Sequence, residues 1–262
     1  MNQADNSEQQ KQPLMSHLAE LRVRLLWAFL AMGVGTAICY HFSQDIYGFL
    51  VRPLANAMGP HDSQRLIYTN LTEAFFTYLK VSVFAGCFVT FPVLLSQIWL
   101  FIAPGLFPHE KKSVLPFLIA SPVLFACGGA LVYFVVLPLA WQFFLSFQST
   151  GAATVLPIML EARVGEYLDL VMTLIFAFGI CFQLPVVMAL LAKAGLISAE
   201  TLAAKRRYAI VGIFVVAAVL TPPDVFSQIA LALPLWALYE ISIFVVRRMK
   251  PAINDRHHKH TT

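Results

Sequence analysis

Six uninterrupted apolar runs, separated by short polar or turn-forming stretches, constrain this chain more than any other feature of its sequence. They occupy residues 25–42, 75–100, 114–145, 167–192, 208–221 and 225–246. A helix of about 20 apolar residues crosses the ~30 Å hydrocarbon core of a bilayer. In lipid a spanning backbone must satisfy its own hydrogen bonds, which leaves helices or closed barrels. The ~10-residue alternating segments of a barrel are not seen here. These runs predict an all-α integral membrane protein with six transmembrane helices. With 59% hydrophobic and 12% charged residues, against about a quarter charged in soluble domains, the 262 residues leave no room for a second, water-soluble domain. The expected organisation is a disordered cytoplasmic tail at 1–13, a membrane domain at 14–250 and a second cytoplasmic tail at 251–262. The opening "MNQADNSEQQKQP" has no basic region before a short apolar core, so it does not read as a cleavable signal peptide.

Orientation follows from where Lys and Arg collect. With the N-terminus inside, Lys11, Arg22 and Arg24, then Lys111 and Lys112, then Lys193, Lys205, Arg206 and Arg207, then Arg247, Arg248, Lys250, Arg256 and Lys259 share the cytoplasmic side, fourteen of the eighteen. Arg52, Arg65, Lys80 and Arg163 remain outside. An even number of spans with both termini cytoplasmic (N-in/C-in) fits this bias. The net charge of +4 is thus a matter of topology, and with no basic stripe or aromatic module nucleic acid is not expected as a partner.

The fifth and sixth spans are short. Residues 208–221 would reach only about 21 Å as a helix, and the sixth run meets Glu240 after fifteen uncharged residues. "TPPD" between them is a turn, because Pro222 and Pro223 cannot continue the preceding helix. Prolines at 92, 116, 122, 138, 185 and 234 each remove a ladder hydrogen bond and tend to kink a helix; they curve a rigid scaffold or serve as hinges. No two glycines have GxxxG spacing, and no internal repeat of the kind found in many transporters is visible.

Few residues could carry chemistry. In "SHLAELRVRLL", Leu18, Leu21 and Leu25 share one side of a helix while Glu20 and Arg24 stand at i,i+4, an amphipathic lead-in at the membrane interface. In "FIAPGLFPHEKK", Glu110 lies in a loop bounded by Pro104 and Pro108 and flanked by Trp99, Phe101 and Phe107, an aromatic belt at headgroup depth. Each acid reads as a support for neighbouring basic residues, or as a partly desolvated carboxylate able to take a guanidinium in a bidentate pair. Two such acids would suit a ligand with adjacent arginines. Gln97, Gln183, Gln228 and Glu240 lie within spans, with Asp169 and Asp224 near outer boundaries; at that depth polar groups bond neighbouring helices or face a cavity. No GxSxG, HExxH or facing pair of deep aspartates points to an enzyme, and no catalytic residue, metal ligand or cofactor is expected. Cys39, Cys87, Cys127 and Cys181 read as small packed residues, and the "HHKH" tail as a solvated basic tail.

Taken in order, "SHLAELRVRL", "FIAPGLFPHEKK", "YFVVLPLA" and "LTPPDVFSQ" resemble the TatC family, the multispanning receptor subunits of the twin-arginine protein translocase, over about residues 14–250. The resemblance implies a cup-shaped six-helix scaffold in the bacterial cytoplasmic (inner) membrane that binds twin-arginine signal peptides of folded cargo. It implies that Glu20 and Glu110 contact the arginine pair, with Arg22 and Phe101 beside them. It also implies that Thr221, Asp224 and Gln228 lie where single-span TatB and TatA partners dock on spans five and six. Other copies of the chain and membrane lipid complete the expected partners, and the proton motive force drives transport without a nucleotide. One position departs: Gln183 stands where family members commonly carry a glutamate, and a neutral amide hydrogen-bonds but does not exchange a proton at physiological pH. Two readings from other classes remain: a small-solute or ion secondary transporter built on the polar residues of spans two, four and six, and a purely structural anchor.

Overall fold

A computed structural model describes residues 4–59, 65–106, 115–149, 160–220 and 225–249; for 4–18, 102–106, 115, 226 and 227 only the backbone is described. Along the chain the helices are α1 (Ala4–His41), α2 (Ser43–Met58), α3 (Glu73–Leu106), α4 (Leu115–Leu131), a π-helical turn (Val132–Val136), α5 (Leu137–Leu145), α6 (Val164–Cys181), α7 (Leu184–Lys193), α8 (Ala199–Ala204), α9 (Arg206–Leu220) and α10 (Val225–Arg248). Five stretches are long and apolar enough to cross a membrane: Ala19–His41, Glu73–Phe101, Pro116–Leu145, Val164–Lys193 and Gln228–Arg248. α9 has 15 residues, about 22 Å at 1.5 Å per residue, so the fifth apolar run is a helix below that length. At the other end α1 begins at Ala4, inside the segment expected as an unstructured tail. Gln and Glu, which recur there, lose little rotamer freedom in a helix.

Five of the six prolines in the apolar runs divide into two groups. α3 runs through Pro92, α4 through Pro122 and α10 through Pro234 without interruption. Pro138 and Pro185 instead stand in the first turn of a new helix, where a missing N–H costs nothing. Each follows a local change of helical winding, the π turn at Val132–Val136 in one case and the Phe182–Gln183 turn in the other, where Phe182 N donates to Phe178 O (2.8 Å) and Gln183 N to Ile180 O (2.9 Å).

The chain forms two compact units. The first comprises residues 1–43 and 82–122. Here α1 and α3 approach through small residues. A Cβ placed on Gly86 would lie 2.6 Å from the Thr36 amide nitrogen, and one on Gly35 would lie 2.5 Å from Thr90 Cγ2. Thr90 keeps its hydroxyl out of the apolar contact by donating to Gly86 O at 2.7 Å, a local back-bond open to threonine in helices.

The second unit comprises residues 44–81 and 123–262. Its core packs α4, the π turn and α5 antiparallel to α6: a Cβ on Gly179 would strike the Phe125 ring at 2.4 Å, one on Gly128 would meet Phe178 O at 2.7 Å, and Trp141 lies 5.1 Å from Tyr167 ring to ring. α2 has an interior proline, Pro53, which deprives the Phe49 carbonyl of its usual i+4 donor. Tyr133 of the π turn supplies one, its hydroxyl donating to Phe49 O at 2.9 Å with the rings stacked 4.3 Å apart. Tyr167 donates to the next carbonyl, Leu50 O, at 2.8 Å. α9 and α10 form an antiparallel pair, tied by Arg206 to Glu240 (2.8 Å) and by Gln228 Nε2 to Phe214 O (3.1 Å). α10 also packs on α7, burying Leu231, Leu235 and Ile243 of α10 and Val186, Ala189 and Leu190 of α7. Ahead of α3 and α6, Ile67 bridges Arg163, and Glu73 gathers this strap: its carboxylate accepts from Thr69 N (3.0 Å) and Gly165 N (3.2 Å) and stands 3.7 Å from Arg163.

Candidate functional site

In the first unit a groove of about 320 Å³ lies between α1 and α3. Leu21, Arg24, Leu25, Ala28, Phe29 and Met32 form its α1 wall, and Leu94, Gln97, Ile98 and Phe101 its α3 wall. The helical period explains the set: residues at i, i+3, i+4 and i+7 share a face, which selects 21, 24, 25, 28, 29 and 32 on one helix and 94, 97, 98 and 101 on the other. The walls are apolar except for two residues, Arg24 and Gln97.

Glu20, the first acid singled out in the sequence, stands at this groove through Arg24. Its Oε1 accepts from Arg24 Nε at 3.1 Å and also from Nη2, with the Arg24 and Glu20 side chains 21% and 39% exposed. The i,i+4 support expected of Glu20 is therefore present, and it positions the guanidinium along the groove wall. Gln97 and Phe101 lie one helical turn apart on the opposite wall. Among the described residues no partner is found for the Gln97 amide. Arg22 is exposed. Glu110, the second acid, lies outside the described residues.

The other polar residues of the spans are accounted for in the second unit. Glu240 contacts Arg206 across the α9–α10 pair. Gln228 holds the same two helices together through Phe214 O; Thr221 and Asp224 lie outside the described residues. Asp169 takes a forked contact from Lys80 Nζ, at 2.9 Å to Oδ1 and 2.8 Å to Oδ2. Gln183 sits in the turn between α6 and α7, with its carbonyl accepting from Val187 N at 2.9 Å. On α8, outside the spanning segments, Glu200 is held below the usual carboxylate range by its own backbone amide and the Ser198 hydroxyl. Among the described residues no group of three or more His, Cys, Asp or Glu side chains could hold a metal ion.

Sequence reasoning missed three features here. Arg24 and Gln97 are groove residues, which the i,i+3,i+4 pattern could have shown had α1 and α3 been matched face to face. α2 was not anticipated, although Ile46, Leu50 and Leu54 recur every four residues and the last two are 2% and 1% exposed. α8 was also unread, although Ser198 caps it by accepting from Thr201 N at 3.2 Å, as an N-cap serine does.

The family model for TatC, the Sec-independent protein translocase protein, matches residues 16–234. A TatC protein of Magnetococcus marinus is 53% identical over 239 residues, 91% of this chain and 85% of that protein. The one from Rickettsia prowazekii is 50% identical over 230 residues, covering 87% and 90%, and that of Escherichia coli K12 is 41% identical over 241 residues, covering 92% and 90%. A crystal structure of the twin arginine translocase receptor TatC superposes with a TM-score of 0.76 at 39% identity, covering 88% of this chain and 99% of that one. The groove-bearing α1–α3 pair and the helices of the second unit fall within a match that extends over most of the chain in both sequence and fold: the protein belongs to the TatC family of Sec-independent protein translocase proteins.

Proposed function

We propose that this chain is the signal-peptide receptor and core scaffold of a twin-arginine translocase in the bacterial cytoplasmic membrane. It is a multi-pass component of a protein translocase and not an enzyme, and the solute-transporter alternative has no support among its relatives. The observation that carries the receptor reading is an acid, Glu20, already in contact with a guanidinium at a groove whose other lining, Gln97 excepted, is apolar. A guanidinium of an incoming signal can replace that of Arg24 with the same fork geometry, and the apolar stretch that characterises a signal peptide matches the Leu21, Phe29 and Leu94 walls. On this reading Glu110 takes the second arginine, and Arg22 and Phe101 border the site. Spans five and six, around Thr221, Asp224 and Gln228, recruit TatB and TatA, and several copies assemble into the active complex. Six spans with both termini cytoplasmic follow from the arginine and lysine bias, and the proton motive force powers the cycle.

Charge reversal tests this. Binding of a twin-arginine peptide to Glu20→Lys or Glu110→Lys falls about 10- to 100-fold, the worth of a charge-assisted hydrogen bond of about 1.5–3 kcal/mol, while Gln97→Ala loses less. Unchanged affinity in both reversals refutes the assignment, and photocrosslinking of the peptide beside Glu110 reports its location directly.

A further inference from the structure

In the second unit a groove of about 480 Å³ lies between α2 and the third span, and none of the residues given a role in the proposed function lines it. Arg52 and Asn56 of α2 line it together with Tyr133, Phe134, Pro138 and Gln142. We propose that it binds an anionic phospholipid, with the headgroup phosphate on Arg52, Asn56 and Gln142 and an acyl chain along Phe134 and Pro138.

The charge pattern selects the headgroup. Arg24, Lys80, Arg163 and Arg206 each contact a carboxylate, whereas among the described residues Arg52 has none. Nor do Asn56 and Gln142 have side-chain hydrogen bonds among the described residues. A guanidinium and two amides around one groove offer only donors and neutral acceptors, a set complementary to a phosphate and repulsive to a cation. Tyr133 does not add a free donor, because its hydroxyl is committed to Phe49 O; it presents an apolar ring to the groove.

The apolar side selects a lipid over a soluble anion. Phe134 is 69% exposed and Leu139 54% exposed, on a segment long and apolar enough to cross a membrane, where exposure means contact with hydrocarbon. Gln142 follows Phe134 by eight residues, about 12 Å along a helix, and lies three residues before the end of that segment at Leu145. The groove therefore runs from hydrocarbon depth at Phe134 towards the interface at Gln142, with Arg52 and Asn56 as further polar lining, the polarity gradient of a phospholipid and not of a free ion.

Native mass spectrometry of the full-length, delipidated chain in detergent tests this, with phosphatidylglycerol and a diacylglycerol of identical chains as probes. Wild type retains one phosphatidylglycerol about tenfold more tightly than the diacylglycerol, the scale of charged hydrogen bonding. Arg52→Gln, an exposed position whose loss leaves no carboxylate unpaired, brings that ratio close to one with an unchanged melting temperature. Phe134→Ser weakens both lipids and keeps the ratio. An undiminished ratio in Arg52→Gln overturns the proposal, as does the lack of any preference in wild type. Displacement of the lipid by millimolar inorganic phosphate also overturns it, by marking a site for free anions.

Discussion

The hydroxyl of Tyr133 substitutes for a hydrogen bond that Pro53 removes, and this relation is measurable. In α2 the Phe49 carbonyl lacks an i+4 N–H because residue 53 is proline, and Tyr133 Oη donates to it at 2.9 Å. Tyr133 is 8% exposed, so water does not replace the bond freely. Tyr133→Phe keeps the ring, and with it the 4.3 Å stack on Phe49, and deletes only the donor. The expected loss is about 1–3 kcal/mol, the cost of leaving a buried carbonyl without a partner. In a Pro53→Ala background residue 53 regains its N–H and restores the α-helical bond to Phe49 O, so the same Tyr133→Phe change costs no more than about 0.5 kcal/mol, a coupling of about 0.5 kcal/mol or more. Tyr167→Phe is the control: its acceptor, Leu50 O, faces Leu54, which has an N–H, so its cost is insensitive to Pro53→Ala. Reversible unfolding of the wild type and the five variants in mixed micelles reads these differences. Equal losses from Tyr133→Phe in both backgrounds refute the substitution argument.

Three further outcomes follow from the first unit. Gly86→Leu places its Cβ 2.6 Å from the Thr36 backbone nitrogen, which has no rotamer to yield, and costs about 1–3 kcal/mol by overpacking in the same unfolding assay. Gly33→Ala on the same helix as Thr36, where nothing lies within 4 Å, is neutral or gains up to about 1 kcal/mol from helix propensity. Arg24→Gln frees Glu20 from a pair of about 0.2–1 kcal/mol and raises the affinity for a twin-arginine peptide about 1.5- to 5-fold; weaker or unchanged binding counts against competition for Glu20.

What the sequence made legible depended on the range of the interaction. The apolar runs report the solvent around each helix, and five of the six reappear as stretches of spanning length. Glu20 with Arg24 was readable because four residues make one helical turn. Lys80 with Asp169 and Arg206 with Glu240 are 89 and 34 positions apart, and no local period links them. The absence of GxxxG hid the close approach of α1 and α3, because Gly35 and Gly86 lie on different helices and become neighbours only when those helices pack. α2 escaped notice because Pro53 disguises a helical repeat whose structural remedy, Tyr133, lies 84 residues from Phe49.

The distribution of carboxylates bears on how the proposed receptor can discriminate. Glu73, Asp169 and Glu240 each contact a cation supplied by another part of the fold, so their partners are fixed by packing. Glu20 contacts Arg24 on its own helix, and such a pair is weak and salt-sensitive. Exchanging the Arg24 guanidinium for that of a signal peptide replaces one fork by another, so the gain at Glu20 is reduced by about 0.2–1 kcal/mol, the worth of the pair given up. A single arginine then binds more weakly than it would without that competition. Discrimination has to come from what the exchange makes possible: a second guanidinium on Glu110 and apolar burial in the groove, both of which require the first arginine to be seated in register. On this argument Arg24 competes with the first arginine of the proposed ligand, and a chain carrying Arg24→Gln should bind one-arginine peptides about 1.5- to 5-fold more tightly than the wild type does.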